Sequence, residues 1–168
     1  QVTAIGYHPV EGDNLIPLNP DGRQLNGSFI SNLGLMTADN GPGYFLMSEG
    51  GRFGSPTCSI DIGAPAGTVI FAPVDGTVAG IRSYNLKGEC PDMEVKIQPQ
   101  FQTNMLVVMT HMDSIQATLG QPVRAGETRL GSVRQLDGCI EQQLSRYTYD
   151  SGNHVHMQAE YLNKQSRL

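Results

Sequence analysis

A chain of 168 residues has room for one domain with a hydrophobic core, not for a second full one. With 39% apolar and only 16% charged residues it is no disordered chain, and a formal net charge of -5 without any Lys/Arg-rich stretch argues against nucleic acid as a partner. No run approaches the roughly 20 apolar residues that cross a bilayer, so no membrane span is expected.

Twenty glycines and ten prolines, spread along the chain, predict many short elements joined by turns, and therefore a mostly-β architecture. Residues 1–50 are the most turn-rich: His8-Pro9, Asn19-Pro20-Asp21-Gly22, Asn26-Gly27 and residues 39–43 all punctuate the chain. Phe29-Ile30 and residues 44–47 are the apolar pieces that could form edge strands there. We expect 1–50 to be an extension packed on a domain spanning 51–168. No export signal is visible, and the opening at Gln1 is compatible with one removed upstream.

From Thr57 onward the strand signal strengthens. Residues 69–72 are β-branched and aromatic, and Pro73-Val74-Asp75-Gly76 then leads into 77–81, which reads as strand, tight turn, strand, with Asp-Gly supplying a positive φ. Met93, Val95 and Ile97 alternate with Glu94, Lys96 and Gln98, the pattern of a strand with one wet face. Residues 105–109 are continuously apolar, as in a strand covered on both sides. A Gly120–Gly126 turn precedes residues 130–133, residues 140–147 suggest a helical turn or two in a polar insertion, and 154–159 alternate again as a last strand. The expected fold is a single antiparallel β-sandwich or open barrel.

Three cysteines leave one unpaired if a disulfide forms. Cys90 and Cys139 both lie in polar, loop-like surroundings and are the expected pair, with Cys58 a buried thiol; three reduced cysteines is the alternative.

Only four histidines are present. His154 and His156, two apart on a strand, project from one face, a beginning for a zinc site or an acid–base pair, or simply a solvated strand face. His111 falls where the 105–109 strand should leave the core. Asp61 sits in an apolar stretch, where a carboxylate needs a hydrogen-bond network or a cation. His8, beside Pro9, has no visible companion and is assigned to the surface.

In order, Thr57-Cys58-Ser59-Ile60-Asp61, Thr110-His111-Met112, Gly120–Gly126 and Gly152-Asn153-His154-Val155-His156 resemble the LytM/lysostaphin-type zinc metallopeptidase family over about residues 50–162. The resemblance implies the lysostaphin-type fold, an extracytoplasmic location and action on peptide cross-links of bacterial peptidoglycan. It makes Asp61 and His156 metal ligands and His111 and His154 the catalytic pair. Where the family has its first zinc-binding histidine, this chain has Thr57, whose hydroxyl is a poor ligand beside imidazole.

The expectation is therefore a degenerate domain, holding zinc weakly or not at all, that binds peptidoglycan peptides or a cell-envelope protein. The alternative is an active zinc endopeptidase with a substitute ligand from Cys58, His8 or another residue. A third reading, a biotin- or lipoate-carrying barrel suggested by residues 67–78, lacks a lysine at its hairpin.

Overall fold

The computed structural model describes residues 2–26, 43–48 and 56–162. Among these residues eleven strands make one open sheet: β1 (Ala4–His8), β2 (Arg23–Gln24), β3 (Gly43–Leu46), β4 (Ser59–Gly63), β5 (Val69–Phe71), β6 (Gly76–Leu86), β7 (Cys90–Pro99), β8 (Met105–Asp113), β9 (Pro122–Val123), β10 (Arg129–Val133) and β11 (His154–Tyr161). The main order is β2-β3-β1-β4-β11-β8-β7-β6-β9, and β10 joins β8 to β5. Pairing is antiparallel throughout, except that β3 lies parallel to both β1 and β2. The mostly-β open sheet expected from the turn-rich sequence is what forms. Phe29-Ile30 lies outside the described residues.

The alternating strands sort their side chains between two faces. Val95 and Ile97 of β7, Val107 and Met109 of β8, Leu130 and Val133 of β10, and Val155 of β11 form the main core on one face. Several are fully buried, and each such side chain contributes about 1.5–3 kcal/mol relative to its exposed state. The opposite face carries Gly6 and His8 of β1, Ser59 and Asp61 of β4, and His154, His156 and Gln158 of β11. A second, smaller core closes one end of that face, where Ala4, Leu25, Phe45 and Met47 meet Leu144. Leu144 comes from a short 3-10 helix, Gln143–Tyr147, whose Tyr147 ring stacks on Phe45 at 4.3 Å. The expected helical turn within 140–147 is thus present and anchors the 134–153 insertion.

The Asp75-Gly76 hairpin is a correction. β5 and β6 do not pair with each other; β5 pairs with β10, and β6 with β7 and β9. Gly76 is not among the positive-φ glycines. It is needed for close approach instead, because a Cβ there would lie 2.2 Å from the carbonyl oxygen of Gln98. Cys90 and Cys139 form the disulfide expected of them, tying the start of β7 to the insertion, and Cys58 is a buried free thiol. Among the described residues no helix is long and apolar enough to cross a membrane.

Candidate metal centre and active site

Strand register builds the centre. Asp61 of β4 lies directly opposite His156 of β11 and Gly6 of β1, so β1 delivers His8, two residues on, to the same face. His156 in turn faces Thr110 of β8, one residue before His111. The Asp61 carboxylate, 5% exposed, is ringed by three histidines. His8 Nε2 lies 3.2 Å and His156 Nδ1 2.9 Å from Oδ1, and His154 Nε2 lies 3.5 Å from Oδ2.

The outer nitrogens are each held by an acceptor. His8 Nδ1 donates to the Pro9 carbonyl at 3.0 Å, and His154 Nδ1 to the Gly152 carbonyl at 2.8 Å; a carbonyl only accepts, so each Nδ1 carries the proton. His156 Nε2 donates to Gln158 Oε1 at 3.1 Å, with the Gln158 amide oriented by its own donation to Glu160 at 2.6 Å. Asp61 too only accepts, so each inner nitrogen either donates a proton to it or, with a cation between them, coordinates that cation. His8, Asp61 and His156 can each offer one ligand atom, all within 4.8 Å of one another. Two imidazoles and a carboxylate are a donor set that suits zinc.

Burial disfavours ionised Asp61, but its contacts with His154, His156 and His8 outweigh it and hold the carboxyl well below its usual range. Burial pushes His154 the other way, below the usual imidazole range, against the pull of Asp61, so the ring is neutral near pH 7. His111 completes the cluster, its ring centroid 5.0 Å from that of His154 and 6.0 Å from that of His156. Its Nδ1 donates to Asp92 Oδ2 at 2.7 Å. The four histidines and Asp61 line a groove of about 410 Å³, with Val10, Glu11, Ser48 and residues 140–143 of the insertion also in its lining, where Gln143 Nε2 donates to Ser48 Oγ at 3.1 Å.

Asp61, His111, His154 and His156, singled out in the sequence, are thus brought together. Thr57 is not part of the metal-capable group. It precedes β4 and turns its hydroxyl away to donate to the Leu18 carbonyl at 2.6 Å. Nor is His8 at the surface without a companion. It is 8% exposed and its partner is Asp61. Its signal was the five-residue strand Ala4–His8 ending at Pro9; what no local pattern disclosed is that this strand pairs with β4, some fifty residues on. Asp92 was also missed, although it shares a strand face with Glu94 in β7.

The model of peptidase family M23 matches residues 55–167, more than half of the chain. The protein belongs to peptidase family M23. Similar solved structures of lower identity include the catalytic domain, as a point mutant, of the prophage-encoded M23 protein EnpA from Enterococcus faecalis. It is 21% identical with a TM-score of 0.45, over 96% of this chain and 97% of that one. The catalytic domain of lysostaphin, an antimicrobial peptidase from Staphylococcus simulans, is 17% identical with a TM-score of 0.45, over 67% of this chain and 73% of its own. A zinc-containing peptidase from Vibrio cholerae is 15% identical with a TM-score of 0.44, over 86% of this chain, which spans only 35% of the Vibrio chain. No curated protein matches. The M23 match begins at residue 55, so His8 lies outside it.

Proposed function

We propose that this M23 domain is an active zinc-dependent endopeptidase, with His8 serving as the metal ligand that position 57 lacks, and that it cleaves peptide cross-links of peptidoglycan. The observation that carries the reading is the convergence of His8, Asp61 and His156, each able to offer one ligand atom to a single site. Zinc held there supplies Lewis-acid polarisation of a peptide carbonyl and makes water a stronger nucleophile at neutral pH.

The protein's own part is to hold and move protons. His154 and His111, with Nδ1 committed to the Gly152 carbonyl and to Asp92, each keep Nε2 to serve as an acceptor. One takes the proton released as water adds to the carbonyl carbon. The proton then goes to the departing amine as the C–N bond breaks, leaving a carboxylate and an amine. The groove suits an extended peptide, which residues 140–143, Val10 and Ser48 of its lining would contact. The Cys90–Cys139 disulfide supports an extracytoplasmic location, where such bonds persist.

The test is metal analysis of the purified protein together with release of new amino termini from peptidoglycan. One zinc per chain and chelator-sensitive release are expected. A protein that stays metal-free in excess zinc and releases nothing is instead the degenerate binding module.

A further inference from the structure

We propose that Asp92 is a positioning residue for the peptidase reaction, holding His111 in the single tautomer and orientation in which Nε2 is free to take a proton; this rests on the reading of the site as a peptidase. Asp92 lies behind His111 and does not line the groove. It is 2% exposed. Its Oδ2 accepts from His111 Nδ1 at 2.7 Å, from the Tyr84 hydroxyl at 2.7 Å and from the His111 backbone N–H at 3.2 Å. Its Oδ1 accepts from the Met93 N–H at 2.8 Å and lies 4.0 Å from Arg134 Nη1.

The double grip on one residue is the informative part. His111 has φ +62°, a left-handed conformation that costs a residue with a Cβ. It falls outside the register pairs of β8: Thr110 pairs with β11, and Met112 with β7 and β10. Its carbonyl is taken by the Arg134 N–H at 3.1 Å, and its N–H by Asp92. One carboxylate therefore holds both the unusual backbone and the ring. A carboxylate only accepts, so the ring proton is confined to Nδ1. A buried acid serving packing alone has no need to bond the ring and the backbone of the same histidine.

Asp92→Asn keeps the shape but replaces one acceptor oxygen with a donor, so the Nδ1-protonated tautomer loses its advantage. We expect kcat to fall about 10- to 100-fold, as when a supporting partner is removed, with KM and zinc content unchanged. Nitrogen-15 NMR of the histidine ring should show His111 protonated at Nδ1 in the unaltered protein and a mixture in Asp92→Asn. An unaltered protein with His111 protonated at Nε2 overturns the proposal, and so does a variant of full kcat. If Asp92→Asn does not fold, the unaltered protein's spectrum still decides. If the unaltered protein cleaves no peptidoglycan, the peptidase reading fails, while the tautomer measurement still tests the role of Asp92.

Discussion

The two parts of the chain that build the centre differ in how they specify it. Residues 56–162 carry Asp61, His111, His154 and His156 on neighbouring strands: the two histidines of β11 are two residues apart, Asp61 lies opposite His156, and His111 follows the Thr110 that faces His156. The N-terminal segment contributes one side chain, His8, from a five-residue strand that reaches the centre only because β1 pairs with β4. The first part sets the pocket by local pattern. The second adds its histidine by topology, so a cluster that lacks a histidine in its motif can gain one in space.

The sharpest way to break this contrast is to remove His8. His8→Ala should lower zinc affinity by more than about 100-fold, since losing even a partner outside the coordination sphere costs 10–100-fold. Zinc content and the rise of thermal midpoint with added zinc would both report it. Thr57→His should restore nothing, because the backbone at 57 turns its side chain toward Leu18. Zinc retained without His8 would return the centre to the motif-bearing part alone.

Legibility in the sequence follows the same division. The strands of 93–97, 105–109 and 154–159 announced themselves by alternation or continuous apolarity, because one or both faces of each are buried in packed side chains. Asp61 was legible as an acid in an apolar stretch. Thr57 lies two residues before β4 begins and bonds the Leu18 carbonyl, so its place in a motif did not disclose its place in space. Asp92 was hidden for another reason: its importance lies in three hydrogen bonds to residues 8 and 19 positions away, none of which leaves a trace in composition or period.

The disulfide tests whether the insertion wall depends on the motif-bearing part. Replacing Cys90 and Cys139 together by Ser removes a cross-link 49 residues apart in sequence and should destabilise the domain by about 2–4 kcal/mol in denaturant unfolding. A loss below about 1 kcal/mol would mean that Leu144 and its neighbours hold the insertion unaided. Gly6→Ala probes the other part. A Cβ at residue 6 would lie 2.4 Å from Met47 Cε and 2.6 Å from its Sδ, the movable end of a flexible side chain. The cost should be about 1–3 kcal/mol, as for ordinary overpacking. Zinc affinity should change little, because the register that delivers His8 survives a shift of Met47.

The smallest expected effect is the most discriminating one. Thr57→Val deletes only the hydroxyl donated to Leu18, a residue whose backbone N–H also bonds the Thr57 carbonyl. Leu18 is only half-buried, so water can replace much of the lost bond, and the cost should be about 1 kcal/mol. If Thr57 merely ties the 9–18 loop to the start of β4, zinc affinity will stay within about twofold, far below a 1.4 kcal/mol tenfold step in binding. If the hydroxyl instead served the metal, affinity would fall while stability barely moved. The same substitution thus separates a structural tether from a weak ligand by which of two measurements responds.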